Sequence, residues 1–152
     1  MPSRSGACQC GKCKVTVSAE PLSVSMCHCH DCQRRTGSSY SVHGYFPRDS
    51  VTVEGSPASY ARKGDSGAFV TFHFCQGCGS TIFWEAEASP ERLGVPAGLF
   101  ADPDFPKPTV SIFTPHKHTW LTVPDGVPQN AGHSAAFAAA AAAAVARREG
   151  RA

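Results

Sequence analysis

The spacing of the cysteines limits this chain more than any other feature of its sequence. Three of the eight cysteines stand close together as Cys27-x-Cys29-x-x-Cys32, and a further pair, Cys75-x-x-Cys78, is followed by a glycine. A Cys-x-x-Cys pair brings two sulfurs to one metal ion, and the glycine permits the tight turn behind it. Structural zinc has four ligands, so this pair needs a second pair.

Cys8 and Cys10 provide that second pair, and the four sulfurs together predict one structural zinc site. Cys27, Cys29 and Cys32 then remain as a separate cluster with three ligands. Because a catalytic zinc keeps a coordination position for water or substrate, this cluster is where chemistry is expected.

Two alternatives stay open for the cysteines. His28, His30 or Cys13 could supply a fourth ligand to the three-cysteine cluster and close it as a second structural site. The eight cysteines could also form disulfides, but the start of the chain has no secretory signal and such close neighbours are poorly placed to bridge each other. Metal binding is therefore the preferred interpretation.

Composition narrows the class of protein. A length of 152 residues fits one domain with a substantial core. A formal net charge of +2 without a basic stripe argues against nucleic-acid binding. No apolar window approaches the length of a membrane span, so the sequence predicts a cytoplasmic protein that does not enter the membrane.

Short alternating segments separated by glycine and proline predict an all-β domain. The clearest strand is 68–74, which leads into the Cys75 pair, and a further strand beyond the pair would complete a zinc-bound hairpin. A helical turn is predicted at 32–36, ended by Gly37. The predicted strands are 14–18, 22–26, 40–46, 51–53, 58–60, 68–74, 81–85, 93–95, 109–113 and 120–123.

An alanine-rich segment follows the predicted domain. We place the domain at 1–130 and a tail at 131–152, because seven consecutive alanines after Phe137 offer little side chain to bury. The tail is expected to be helical if it docks and disordered otherwise. Its alanine face could also pack on a neighbouring chain, which leaves a homodimer open. Deletion of the tail is expected to leave metal content and activity intact.

The order of these motifs resembles the glutathione-dependent formaldehyde-activating (GFA) family, whose domain is shared with centromere protein V. The resemblance covers about residues 6–129 and rests on Cys8-x-Cys10-Gly11, Cys27-x-Cys29-x-x-Cys32-x-Arg34-Arg35-Thr36-Gly37 and Phe74-Cys75-x-x-Cys78-Gly79. It implies a mainly β, Mss4-like (β-tent) zinc-binding fold of several small coiled antiparallel sheets, and it permits a C-terminal helix. Cys13 departs from the family pattern, which usually has an apolar residue there.

The resemblance also implies two zinc ions per chain and an activity. The structural zinc would be bound by Cys8, Cys10, Cys75 and Cys78, and a catalytic-type zinc by Cys27, Cys29 and Cys32. The implied activity is that of a carbon–sulfur lyase acting on a thiol–aldehyde adduct such as S-hydroxymethylglutathione. Glutathione or a similar small-molecule thiol would then be the partner.

Several other side chains are candidates for this chemistry. A three-thiolate zinc is a soft site that favours a thiolate as its next ligand. Asp102, His73 and His43 are the candidate general bases, and the sequence does not rank them. Arg34 and Arg35 could bind a carboxylate of a glutathione-like substrate, or they could be exposed charges.

A second class of function competes with the enzyme. The chain could be a non-catalytic zinc-binding β-domain that mediates a protein or nucleic-acid interaction. The fourth position at the three-cysteine cluster separates the two hypotheses, because an open position favours the enzyme.

Overall fold

The computed structural model describes residues 3–151, which form eleven β-strands and two α-helices. The prediction of a mainly β fold with a C-terminal helix is confirmed. The strands are β1 Arg4–Ala7, β2 Lys14–Val17, β3 Ser23–Cys27, β4 Ser41–Pro47, β5 Val51–Glu54, β6 Ala58–Lys63, β7 Phe69–Phe74, β8 Thr81–Ala86, β9 Arg92–Pro96, β10 Val110–Ile112 and β11 Gln129–Asn130. The helices are α1 His30–Thr36 and α2 Ala135–Arg148, and short 3-10 turns lie at Arg48–Ser50, Ala97–Phe100 and Thr114–His116.

The strands form two sheets. The smaller has three antiparallel strands in the order β1-β2-β5, and the larger has eight in the order β11-β10-β3-β4-β9-β8-β7-β6. One large sheet thus replaces several of the small sheets that the resemblance implied. In it β10 runs parallel to both β3 and β11, whereas the other pairings are antiparallel. Parallel neighbours require a long connection, and most of the chain lies between β3 and β10.

Most predicted strands are present, but the one at 120–123 is not. Trp120 lies in a turn with 70% of its surface exposed, and the following residues have no strand partner. The segment is apolar because Val123 is buried from a loop, against Met26 and Val127. Burial from a loop and burial from a strand leave the same apolar residues in a sequence, so the pattern was misleading here.

The main core lies beside the predicted four-cysteine site. Val15 and Val17 on β2, Phe46 on β4 and Ile82 on β8 are fully buried. The sulfur-bearing residues Cys8, Cys13 and Cys75 belong to the same apolar cluster. Cys8 and Cys75, two of the four cysteines predicted to bind structural zinc, are therefore part of the packing that holds the two sheets together.

The C-terminal segment forms a helix that packs on the large sheet. Ala141 has no exposed surface and contacts the cluster of Ala68 and Ala88, so small side chains on both sides permit close approach. Arg148 pairs with Glu87 near the end of the helix. Neither helix among residues 3–151 combines the length and apolar character that spanning a bilayer requires.

Candidate metal sites and active site

Two β-hairpin turns bring the four predicted structural ligands together. Cys8 and Cys10 lie in the turn between β1 and β2, where the Cys8 N–H donates to the Cys13 carbonyl at 2.9 Å. Cys75 and Cys78 lie in the turn between β7 and β8, where the Cys75 N–H donates to Ser80 at 2.9 Å. The strand order around this pair agrees with the predicted hairpin.

Gly79 completes the second turn with a backbone φ of +77°, which side chains rarely permit. Its N–H donates to the Cys75 carbonyl at 2.8 Å. Ser80 then joins the two turns, because its Oγ accepts from the Gln9 N–H at 3.2 Å and lies 3.3 Å from the Cys78 Sγ. This bridging serine has no motif of its own and was missed in the sequence.

The four sulfurs match the dimensions of a tetrahedral zinc site. All four Sγ atoms lie within 4.8 Å of one another. The Cys8–Cys10 and Cys10–Cys75 sulfur pairs are each 3.6 Å apart. Zinc–sulfur bonds of about 2.3 Å in a tetrahedron place sulfurs about 3.8 Å apart, so a zinc ion fits this site with little adjustment.

The other three cysteines meet where β3 leads into α1. Cys27 ends β3, Cys29 is the N-cap of α1, and Cys32 lies in the first turn of that helix. The Cys29 Sγ accepts from the Cys32 N–H at 3.3 Å, so it both caps the helix and faces the cluster. The three Sγ atoms lie within 4.8 Å of one another.

None of the suggested fourth ligands joins this cluster. Among residues 3–151, no histidine, aspartate or glutamate belongs to the group that the three cysteines form. His28 is buried and its Nε2 lies 2.9 Å from the Ser111 Oγ, whereas His30 packs against His116 with ring centroids 4.3 Å apart. Cys13 lies in the core beside the four-cysteine site.

Full ionisation of the three-cysteine cluster requires a cation between the sulfurs. Hydrogen bonds with the sulfurs of Cys29 and Cys32, followed by burial, raise the pKa of Cys27. Hydrogen bonds from Cys27 and Cys29 lower the pKa of Cys32. One thiolate therefore forms at the expense of its neighbours, and all three can ionise together only when a cation offsets their mutual repulsion. This donor set fits zinc.

The three cysteines line a pocket of about 80 Å³, and we call it the three-cysteine pocket. His43 on β4 lines it, and its ring packs edge-on to Tyr45 and Trp84, with centroids 5.1 and 4.7 Å away. The His43 Nδ1 lies 3.4 Å from the Ser41 Oγ. Its buried Nε2 has no hydrogen-bond partner among residues 3–151.

Burial dominates the electrostatics of this histidine. Burial, and to a smaller extent Arg35, lowers the pKa of His43 to about 4 against an opposing effect of Cys32. The imidazole is therefore neutral at pH 7 and can accept a proton.

The sequence of the chain matches a known family over most of its length. Residues 3–116, which include all seven cysteines of the two clusters, match the model described as "Glutathione-dependent formaldehyde-activating enzyme". The chain belongs to this family.

Curated relatives of this GFA-family chain are distant. An uncharacterized lyase from Schizosaccharomyces pombe is 27% identical over 100 residues, which are 66% of this chain and 70% of that protein. A Penicillium rubens protein, provisionally named a glutathione-dependent formaldehyde-activating enzyme, is 30% identical over 80 residues. That match covers 53% of this chain and 41% of the Penicillium protein, so the chain corresponds to less than half of it.

A solved structure shares the fold. The crystal structure of a Rhodobacter sphaeroides protein has a TM-score of 0.52 and 19% sequence identity to this GFA-family chain. The similarity covers 83% of this chain and 98% of the other.

The structure does not bring His73 and Asp102 into the three-cysteine pocket. His73 on β7 stacks on Phe83 with centroids 4.1 Å apart, and its Nε2 lies 3.0 Å from Glu85. Asp102 follows the 3-10 turn after β9 and lies 3.7 Å from Arg4. Of the three candidate bases, only His43 lines the pocket.

A larger groove of about 520 Å³ adjoins the pocket. It carries the two predicted arginines together with Arg62 from β6, and we call it the arginine groove. Arg62 pairs with Asp31 at 3.2 Å. The Arg35 guanidinium lies over Phe72 and Trp84, 4.7 and 4.9 Å from their centroids, and forms no ion pair within the described chain.

Arg35 lines both the arginine groove and the three-cysteine pocket, so an anion bound in the groove would lie beside the cysteines. Arg62 was missed by sequence reasoning because it lies on a strand without any motif.

Two further pocket residues lie beyond the family match. His133 and Phe137 line the three-cysteine pocket, and both belong to the segment expected to be a tail. The boundary at residue 130 therefore does not separate the tail from the site. No local signal marks these residues, because Phe137 stands alone before a run of alanines.

Proposed function

We propose that this protein is a carbon–sulfur lyase that acts on the adduct of a small thiol and an aldehyde, such as S-hydroxymethylglutathione. The observation that carries the proposal is the composition of one pocket. Three cysteines line the same pocket as a buried histidine, and the Nε2 of that histidine has no hydrogen-bond partner among residues 3–151. Family membership supports the same reaction class.

Cys27, Cys29 and Cys32 would hold the metal, and no further cysteine, histidine, aspartate or glutamate of residues 3–151 joins them. Zinc bound there supplies a soft Lewis acid that favours a thiolate sulfur as its additional ligand. The chain itself provides the protein ligands, the base and the walls.

His43 is the proposed base. In a hemithioacetal R–S–CH2–OH, the Nε2 of neutral His43 takes the hydroxyl proton. The oxygen electron pair forms the carbonyl of formaldehyde, and the electrons of the C–S bond leave with the sulfur as thiolate. The reverse steps form the adduct, with His43 returning the proton. General-base assistance of this kind accelerates a reaction by about 10²–10⁴.

The walls of the pocket restrict water. Trp84 and Phe72 are buried on the large sheet, and Tyr45 packs across the His43 ring. Apolar surroundings keep the imidazole neutral and strengthen the hydrogen bond that it accepts from the substrate hydroxyl.

The arginine groove accommodates the rest of the thiol. The three-cysteine pocket of about 80 Å³ is far below the roughly 300–1,000 Å³ of sites that enclose a whole ligand, so a tripeptide extends beyond it. Arg34 and Arg35 line the adjoining groove, where a guanidinium can bind a carboxylate with two hydrogen bonds. We propose that they bind the carboxylates of glutathione or a similar anionic thiol.

Exchange NMR of glutathione with formaldehyde tests the reaction, because it reports adduct formation and breakdown at equilibrium. The zinc-loaded protein should accelerate exchange above the spontaneous rate. His43→Asn should lose about 10²–10⁴ of the acceleration. His73→Asn is the matched control and should retain it. Equal loss in both variants would exclude His43 as the base, and no acceleration by the wild type would reject the lyase.

Thiol binding can be measured separately in the cobalt-substituted protein. Glutathione should add a cobalt–thiolate charge-transfer band, whereas S-methylglutathione should not, because a thioether is a weak neutral donor. Cys32→Ser serves as the control for the site. Identical spectra with both ligands would favour the binding-domain hypothesis over the enzyme.

The proposed role of Arg35 in binding a carboxylate can be tested by comparing two thiols. Arg35→Gln should weaken binding of glutathione to the cobalt protein by about 10-fold or more, since hydrogen bonds to charged groups contribute about 1.5–3 kcal/mol. Binding of 2-mercaptoethanol, which has no carboxylate, should change little. Equal weakening of both thiols would show that Arg35 supports the pocket and does not recognise an anion.

A further inference from the structure

The segment beyond the family match forms one wall of the three-cysteine pocket. His133 and Phe137 line this pocket together with Ile112 and Phe113 from the end of β10. The family match ends at residue 116, before both His133 and Phe137. The wall is therefore a property of this chain that membership of the family does not assign.

The start of α2 is held in a defined position. The Ser134 Oγ caps the helix by accepting from the Phe137 N–H at 3.1 Å. The His133 ring packs edge-on to Phe113 with centroids 5.0 Å apart, and against Phe137 at 4.2 Å. The two aromatic residues of the wall thus contact each other, and His133 also contacts Phe113, the residue that follows β10.

The far end of α2 is also fixed. Ala141 and Ala144 are buried against the sheet. Arg148 pairs with Glu87, donates to the Gly67 carbonyl at 3.1 Å, and lies 4.8 Å from the centre of the Phe69 ring. Contacts along its whole length make α2 a fixed wall, because the helix cannot swing without breaking several of them.

This wall lies away from the arginine groove. The groove and the pocket share Asp31, Arg35, Arg62 and Phe72, whereas His133 and Phe137 line the pocket and not the groove. A thiol with its sulfur at the three cysteines can extend into the groove of about 520 Å³. A second substituent near the sulfur has only the three-cysteine pocket of about 80 Å³, which α2 bounds on one side.

We propose that His133 and Phe137 set the size limit on the aldehyde part of the substrate, restricting it to formaldehyde and other aldehydes with a very small substituent. The inference rests on the proposed function, since it assigns the groove to the thiol and the three-cysteine pocket to the aldehyde carbon. Phe137 excludes larger substituents by its volume, and the exposed His133 packs against the Phe137 ring on the same side of the pocket.

Thiols with one or two branches test the wall without any turnover. In the cobalt protein, phenylmethanethiol can direct its single ring into the groove. Diphenylmethanethiol carries a second ring on the same carbon, and we expect that ring to meet the α2 wall. We expect the wild type to bind diphenylmethanethiol at least tenfold more weakly than phenylmethanethiol. Phe137→Ala should increase the affinity for diphenylmethanethiol at least tenfold and change the affinity for phenylmethanethiol less than twofold.

Two further variants complete the test. His133→Ala truncates the other wall residue. Because His133 lies in a loop, this variant should fold even if Phe137→Ala does not. Ala139→Gln is the matched control on the exposed face of α2, and it should behave as the wild type. The size limit would be overturned if Phe137→Ala bound diphenylmethanethiol with unchanged affinity. If Phe137→Ala does not fold, the same result in His133→Ala would overturn it.

The outcomes separate this inference from the proposed function. If the thiols bind with the expected size limit but exchange NMR finds no acceleration, the steric role of α2 is supported and the lyase proposal is rejected. If thiols bind and catalysis occurs but the variants do not change the size limit, only the role of His133 and Phe137 is rejected. If no thiol changes the cobalt spectrum, both proposals are rejected.

Discussion

The Sγ atoms of Cys10 and Cys75 lie 3.6 Å apart although 65 positions separate them in the chain. The contact joins the turn of the small sheet to the turn of the large sheet at the edge of the main core, to which Cys75 belongs and beside which Cys10 is exposed. A metal ion bound there closes a long loop, and its binding energy becomes folding energy.

The two metal sites should therefore differ in their effect on stability. Cys75→Ser is expected to give unfolded or insoluble protein, because structural zinc contributes on the order of 10 kcal/mol or more. Cys32→Ser should remain folded with one zinc bound. Thermal unfolding measured together with zinc content tests this, and equal destabilisation by the two variants would contradict it.

The pocket wall at Trp84 should depend on Gly94 across the β8–β9 pair. A Cβ at Gly94 would lie 2.2 Å from the Trp84 ring, so Gly94→Ala must displace the indole. We expect a loss of about 1–3 kcal/mol in the free energy of unfolding and a changed tryptophan fluorescence spectrum. Gly98→Ala is the control, because nothing lies within 4 Å of its Cβ position. A similar response of both variants would contradict the role of close packing.

The docking of α2 should be sensitive to side-chain volume on one face only. Ala141 is fully buried whereas its neighbour Ala142 is exposed. Ala141→Leu should destabilise the protein by about 1–3 kcal/mol through overpacking. Ala142→Leu should leave the midpoint of thermal unfolding nearly unchanged. If Ala141→Leu is also neutral, the helix does not dock as described.

Glu85 should make stability depend on pH. Burial raises the pKa of the Glu85 carboxyl, but Arg48 at 2.8 Å and His73 at 3.0 Å outweigh it and hold the pKa below its ordinary 4.5. The folded state thus favours the carboxylate. Its stabilising contribution is complete above about pH 4.5 and is lost as the pH falls through the lower folded pKa.

The measurement is the difference in unfolding midpoint between the wild type and Glu85→Gln at matched zinc content. That difference should be present at pH 7 and shrink below pH 4.5. Because the carboxylate is partly exposed, the effect is modest. A difference that stays constant with pH would show that the substitution acts through packing alone.

The sequence indicated the cysteine groups correctly because their spacing is local. Cys75 and Cys78 stand on one turn, and alternation in 68–74 and 81–85 identified the strands on either side. Parallel pairing of β10 with β3 was not predictable in the same way, since it depends on where a long connection returns the chain to the sheet.

The candidate general bases could be distinguished only once the order of strands in the large sheet was known. His43 and His73 both lie on strands with similar sequence surroundings, but β4 stands next to β3, which ends at Cys27, whereas β7 lies three places further along the sheet. The docking of α2 depended on Ala68 and Ala88, two small residues distant in sequence whose shared surface no local pattern reveals.

The position of α2 in the chain also affects the order of assembly. This helix follows every other element in the sequence, yet it bounds a pocket whose cysteines lie on β3 and α1. During synthesis the three sulfurs therefore emerge well before their wall, while the site is still open to the surrounding solution. We expect metal to load first and the helix to enclose it afterwards, so that ribosome-bound chains stalled before residue 131 should already bind the ion. If such chains bind none, the late helix is needed to load the site as well as to enclose it.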